Sequence, residues 1–187
     1  MSRLFKLVVF LSALIRFSYG QEFSGVAVDG NIDEVVSKFV QKGFQIKPDN
    51  QSKKPVVSLT GYTSTIKVEL FISYNPSTKE VWRFSVYLPQ AQTWNQLKAQ
   101  YLEYRSTLLE KNGQPLTTQA IFSSPFTEGD GNELDAVAAE KIKFQTTWMN
   151  KHSISITKYK QVMIDYINAE NYKSYKEFIG NQNKENF

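Results

Sequence analysis

Two neighbouring segments alternate between apolar and polar side chains, and this alternation constrains the fold more than any other feature of the sequence. In "TIKVELFISY", residues 65–74, and in "EVWRFSVYL", residues 80–88, apolar side chains occupy every second position. A period of two residues indicates β-strands with one buried face, and "NPSTKE" between them predicts a hairpin connection. We therefore expect antiparallel pairing. The positions assigned to the core face are Ile66, Val68, Leu70, Ile72, Trp82, Phe84, Val86 and Leu88.

The opposite face of the same strands carries Phe71, Arg83 and Tyr87. Aromatic side chains and arginine are enriched in protein contact surfaces, so one interpretation is a binding patch on an open sheet face. The other is that Phe71 and Tyr87 pack beneath a helix or loop of the same chain, since most large aromatic side chains are buried by their own fold. The sequence leaves both interpretations open.

Two helices are marked by their first residues. Asn31 with Glu34, and Thr93 with Gln96, have the spacing of a capping box, in which the N-cap side chain bonds an amide of the first turn. Apolar residues recur at helical spacing after each cap. The pair Asn112–Gly113 predicts the end of the second helix.

The second half of the chain restates this order of elements. "TTQAIF" is predicted as a strand, residues 132–141 as a helix, "KFQTTWM", "SISITKY" and "QVMIDYI" as strands, and "NYKSYKEFI" as a short terminal helix. "DGN" precedes a helix in both halves, which predicts that Asn31 and Asn132 are both N-caps. We expect an α+β fold, mainly an antiparallel sheet with helices on one face, in an order that fits two strand-helix-strands-helix repeats at 21–113 and 114–180.

The first 20 residues have the three-part pattern of a secretory signal peptide. A basic start is followed by an apolar run at residues 7–15, and Ser18 and Gly20 provide the small residues that precede cleavage. The apolar run is too short for a transmembrane helix. We expect cleavage before Gln21, export to the periplasm or the medium, and no stable membrane insertion afterwards.

Cysteine content and charge narrow the possible partners. The absence of cysteine excludes a bacterial lipid anchor, disulfides and thiolate metal sites. Loss of residues 1–20 removes three of the 22 basic side chains and no acidic one. The mature chain then has 19 basic and 18 acidic side chains, which gives a formal net charge of +1. No run of Lys or Arg exceeds two residues, which argues against nucleic acid. The remainder suits one domain at 21–180 and a disordered polar tail at 181–187.

One acidic segment has part of a calcium-binding pattern. Glu128, Asp130 and Asn132 have the 1-3-5 spacing with which such loops begin. Position six is Glu133 rather than glycine, and position twelve is Ala139 rather than glutamate. The segment is therefore interpreted as an acidic helix start, and no metal is expected.

Catalytic motifs are missing from the sequence. His152 is the only histidine and is predicted to lie in an exposed turn. Neither a Gly-x-Ser-x-Gly nucleophile elbow nor a phosphate-binding glycine loop occurs, so no cofactor is expected. A pair of carboxylates for glycoside cleavage remains open, since such residues meet only in space.

Several quoted segments resemble a known group. "FSGVAVDGNIDEVVSKFVQKGF", "YNPSTKEVWRFSVYL" and "EGDGNELDAV" followed by "FQTTW" resemble uncharacterised small exported proteins of Bacteroidetes, which carry a Phe-x-Gly-x-x-(Val/Ile)-Asp-Gly opening and a later Gly-Asp-Gly. The resemblance implies export and supplies no catalytic residues. The order of elements is also similar to tandem TATA-box-binding-protein-like or β-lactamase-inhibitor-like α+β folds, and fold does not confer function.

Two classes of function follow. The first is a non-enzymatic exported protein that binds a protein, peptide or glycan through the sheet face. The second is a hydrolase of envelope or dietary polymers that uses carboxylates. The sequence favours the first, because it contains no catalytic motif and only one histidine.

Overall fold

The computed structural model describes residues 21–48, 55–149 and 152–185. The predicted signal peptide, residues 1–20, lies outside the described residues. Among those described, no helix combines the length and the apolar character needed to cross a membrane.

The first half contains both strands that the alternating pattern predicts. Its elements are β1 (Glu22–Phe23), β2 (Val26–Ala27), α1 (Ile32–Gln41), β3 (Gln45–Ile46), β4 (Val56–Thr63), β5 (Ile66–Tyr74), β6 (Val81–Tyr87) and α2 (Trp94–Asn112). The second half contains β7 (Thr117–Phe122), α3 (Glu133–Ala138), β8 (Ile142–Trp148), β9 (His152–Thr157), β10 (Gln161–Ile167) and α4 (Ala169–Glu185).

The strands of the described residues form one eight-stranded sheet, here called the main sheet, and a separate β1–β2 hairpin. The order in the main sheet is β3-β4-β5-β6-β10-β9-β8-β7, and every neighbouring pair is antiparallel. The predicted α+β class with a mainly antiparallel sheet is therefore confirmed. A helix, a three-stranded meander and a second helix follow one another twice, and the last strands of the two meanders, β6 and β10, pair at the centre.

Three helices cover the same face of the main sheet, because their apolar side chains share one core. The Phe39 ring of α1 lies 5.3 Å from that of Phe84 on β6. On α2, the Trp94 ring lies 5.2 Å from Phe144 of β8, and the hydroxyl oxygens of Tyr101 and Thr146 are 2.8 Å apart. Val137 of α3 belongs to the same core.

The predicted cap of α2 is confirmed. The Thr93 hydroxyl accepts a hydrogen bond from the amide of Gln96, and the Gln96 side chain accepts one from the amide of Gln92. The helix ends where expected, with Gly113 at a φ of +72°. That conformation carries little penalty for glycine.

Residues 23–28, "FSGVAV", lie in a hairpin, since Ser24 and Gly25 turn the chain at φ values of +52° and +70°. Two helices differ in length from the prediction. Helix α3 is shorter than residues 132–141. Helix α4 continues to Glu185, so the tail predicted as disordered is helical that far, and its lysine, glutamine and glutamate residues are good helix formers.

A β-bulge changes the position of Trp82. Ser73 pairs with Arg83, but Tyr74 pairs with Val81, which makes Trp82 the extra residue. Val81 is fully buried. The prediction that Trp82 belongs with the core-facing set is wrong, because the bulge breaks the period of two that the sequence pattern assumes.

Candidate functional site

The face of the main sheet opposite α1, α2 and α3 is called the open face. It carries the residues that alternate with the core set, and strand register aligns them into rows. One row is rich in hydroxyl groups: Thr117, Thr147, Ser153, Asp165, Ser85, Phe71 and Ser58. The neighbouring row contains Gln119, Gln145, Ser155, Met163, Tyr87, Glu69 and Thr60.

The structure places all three predicted site residues, Phe71, Arg83 and Tyr87, on this face. The rings of Phe71 and Tyr87 meet edge to face, with centroids 5.2 Å apart. Each ring remains partly exposed. The two rings therefore shield one another in part and still present surface.

Arg83 lies against an aromatic cluster formed by the bulge and α4. Its guanidinium carbon is 4.7 Å from the centre of the Trp82 ring. Tyr175 stacks on Trp82 at 4.9 Å with an interplanar angle of 16°, and Tyr172 lies equally near. Such stacking orients the planar guanidinium while its charge stays available.

Two buried donors in this cluster have no acceptor among the described residues. They are Nε1 of Trp82 and Nε of Arg83. Among the described residues, the ion pairs join Lys47 to Glu69, Lys98 to Glu128 and Lys158 to Glu140, and none of them involves Arg83. Arg83 as a whole is partly exposed, although its Nε is buried without an acceptor.

Asp165 is a buried carboxyl at the centre of the open face, between two serines on neighbouring strands. Asp165 pairs in register with Ser85 on β6 and with Ser153 on β9, and both hydroxyls hydrogen-bond its carboxyl group. Burial raises the pKa of Asp165, and the two serines and Arg83 oppose that rise. The same burial and the Asp165 charge raise the pKa of Tyr87.

Sequence reasoning missed Asp165 as a site residue. The only available signal was a lone acid in the apolar strand segment "QVMIDYI". That signal identifies a polar group on a strand but not its partners, because Ser85 lies 80 residues away in sequence.

The acidic segment before α3 satisfies its own amides. Asp130 accepts hydrogen bonds from the amides of Thr127 and Asn132 at 2.9 and 2.7 Å, and Glu133 accepts one from Gly129. These amide bonds lower the pKa of Asp130. No group of three or more histidine, cysteine, aspartate or glutamate residues that could hold a metal occurs within the described ranges.

Asn132 occupies the N-cap position of α3, but its side chain makes no capping hydrogen bond. The prediction that Asn132 caps this helix is wrong. Its ψ of 18° departs from the extended backbone of an N-cap, and the side chain turns back to the carbonyl of Asp130.

His152 also differs from its predicted position. It begins β9 and does not lie in an exposed turn, and its ring is 5.0 Å from that of Tyr166 in an edge-to-face contact. Register explains the contact, because the two residues are direct partners in the β9–β10 pairing.

A cavity of about 300 Å³ opens at the rim of the main sheet, beside Tyr87 and Met163. Its other walls come from α3 and from the turn between β9 and β10, where Lys158 and Glu140 form an ion pair at 3.6 Å. The cavity thus extends the open face at the Tyr87 end.

Comparison of the chain with protein-family models, with curated proteins and with solved structures finds no match.

Proposed function

We propose that this protein is a non-enzymatic, exported binding protein whose open face contacts a protein partner. The observation that carries the proposal is the combination of partly exposed Phe71 and Tyr87 with Arg83, which forms no ion pair among the described residues, on one sheet face. Tyrosine and arginine supply a large share of the binding energy in protein interfaces.

The dimensions of the open face support a macromolecular partner. Strands lie about 4.8 Å apart, so eight of them span roughly 34 Å. An interface of ordinary size needs about 800 Å² on each partner. The width of the sheet fits an interface of that size, with Ser85 and Asp165 buried at its centre and α4 packed against β6.

A hydrolase is the second candidate, and Asp165 is the observation that favours it. A buried carboxyl with a raised pKa is suited to general-acid chemistry. However, Glu69, the other acid among the strand residues of this face, is committed to an ion pair with Lys47. Polymer cleavage that is abolished in Asp165→Asn would favour the hydrolase over the binding protein.

Site-specific photo-crosslinking in the native host tests the binding proposal. A photoreactive phenylalanine analogue at Tyr87 is expected to capture a discrete partner, and the same analogue at Leu102 serves as the control. Leu102 is 45% exposed on α2, away from the open face. Equal capture at both positions, or capture only at Leu102, would refute the proposed surface.

Export is tested separately, by sequencing the N-terminus of the mature product. We expect a start near Gln21, because the small residues that precede cleavage end at Gly20. A cytoplasmic product that begins at Met1 would contradict export and leave the binding surface untouched.

A further inference from the structure

We propose that Arg83 is the anchor of the open face for a carboxylate side chain, and that the partner presents an acidic polypeptide segment. This inference rests on the proposed binding function and adds the chemistry of the partner.

The first step is that Arg83 is held in place before any partner binds. The Trp82 ring, against which its guanidinium lies, is itself packed by Tyr172 and Tyr175 of α4. Trp82 is only 8% exposed. A guanidinium oriented in this way loses little conformational entropy on binding, so more of the contact energy appears as affinity.

The second step is that the contacts of Arg83 within the fold, with the Trp82 ring and the charge of Asp165, leave one of its donors without an acceptor. Its Nε is buried without an acceptor within the described part of the chain. The carboxyl group that influences it, Asp165, is already hydrogen-bonded by Ser85 and Ser153. A guanidinium has five N–H donors in a fork that matches a carboxylate.

The third step is charge complementarity. The strand residues of the open face carry three cations, at Lys67, Arg83 and Lys143. Of the two acids, Glu69 is paired with Lys47, so the three cations face one further carboxyl, that of Asp165. The face is therefore net positive, although the mature chain is nearly neutral, and it attracts an acidic partner.

The fourth step favours a polypeptide over an acidic glycan. Sugars stack on the flat face of an aromatic ring, whereas Phe71 and Tyr87 meet edge to face at 74°. Aromatic rings arranged in this way beside an arginine on a broad sheet are the composition of a protein interface.

A peptide-display selection against the purified protein tests the inference. Random dodecapeptides are selected on the wild type and on Arg83→Gln, and the best peptides are resynthesised for affinity measurement. Lys67→Gln is the matched control, because it removes the same charge from an exposed position on the same face. Polygalacturonate is titrated in parallel as the glycan probe.

We expect wild-type selections rich in aspartate and glutamate, with affinity reduced about tenfold to hundredfold by Arg83→Gln, as for one charge-assisted pair. Lys67→Gln should change affinity by less than about threefold, as for a solvent-screened rim charge. Arg83→Lys keeps the charge but loses the fork, so an intermediate loss is expected. This variant decides the question if Arg83→Gln does not fold.

Three results would overturn the inference. One is equal affinity of wild type and Arg83→Gln, or of wild type and Arg83→Lys, for acidic peptides. Another is an equal loss in Lys67→Gln, which would indicate unspecific attraction. The third is Arg83-dependent binding of polygalacturonate without acidic peptides. Crosslinking at Tyr87 that persists in Arg83→Gln would leave the binding function standing while this inference fails.

Discussion

The tripeptide Asp-Gly-Asn precedes a helix at residues 29–31 and again at 130–132, and the two copies behave differently. In the first, the Asn31 side chain accepts a hydrogen bond from the amide of Asp33 at 2.9 Å and caps α1. In the second, the Asn132 side chain caps nothing, and Asp130 and Glu133 bind the loop amides.

The difference lies in what each loop is attached to. The backbone of the first loop is hydrogen-bonded to the start of β6 and the residues just before it. The amide of Val81 donates to the carbonyl of Gly30, and the amide of Ile32 donates to the carbonyl of Lys79. This pairing holds Asn31 in extended backbone, with a ψ of 138°, which leaves its side chain free to cap. The second loop is exposed: Asp130 bonds the loop's own amides, and Glu128 forms an ion pair with Lys98 of α2. The same three residues therefore cap a helix where pairing with a strand sets the loop backbone.

The largest expected effect is on stability, and it compares buried side chains on α1 and α3, the helices that follow the two loops. Phe39→Ala on α1 should lower the free energy of unfolding by about 3–5 kcal/mol, because a fully buried ring leaves a cavity. Val137→Ala on α3 should cost about 1.6 kcal/mol, two methylene groups at about 0.8 kcal/mol each. Urea denaturation measures both. Equal losses would show that the shorter helix is anchored as firmly as the longer one.

The next effect tests the two caps directly. Asn31→Ala should cost about 1 kcal/mol, because the first-turn amide loses its acceptor. Asn132→Ala should change stability by less than about 0.5 kcal/mol, as for an ordinary surface substitution. The two single variants and the double variant are compared in urea. A loss at Asn132 as large as that at Asn31 would contradict the geometric difference.

A smaller effect is that the pKa values of two aspartates, Asp165 and Asp130, shift in opposite directions. The pKa of Asp165 should lie above the ordinary 3.8, owing to burial, and that of Asp130 below it, owing to two amide hydrogen bonds. The contribution of Asp165 to stability is complete below pH 3.8 and is lost as the pH rises through the pKa of Asp165 in the folded protein. The contribution of Asp130 is complete above 3.8 and is lost as the pH falls through its folded pKa.

Carbon-detected NMR titration of the carboxyl groups measures both aspartate pKa values, with Asp165→Asn and Asp130→Asn used to assign the signals. Shifts in the same direction would show that the Asp130 loop does not hold its amides as described.

The last comparison is expected to show no effect of metal removal on stability. EDTA should leave the melting temperature unchanged, because the acidic oxygens of the second loop are occupied by its own amides. A control with added calcium should give the same curve. A fall of more than about 5 °C on chelation, the scale of a loss near 1 kcal/mol, would identify Glu128 and Asp130 as ligands after all.

Much of the secondary structure could be predicted from the sequence alone. Alternation in "TIKVELFISY" predicted β5 and the core positions Val68, Leu70 and Ile72, whereas Ile66, assigned to the same face, is exposed. The Thr93–Gln96 spacing predicted the start of α2. These features depend on neighbours within a few residues, so the local sequence contains all the information they need. Phe71, Arg83 and Tyr87 could be assigned to one face for the same reason.

Only the tertiary structure decided how distant segments meet. The pairing of β6 with β10 sets Asp165 between Ser85 and Ser153, and no local pattern specifies that register. The bulge that turns Trp82 towards α4 depends on how β5 aligns with β6. Register and bulges follow from the packing of whole strands, whereas periodicity reports only which side of a strand a residue occupies.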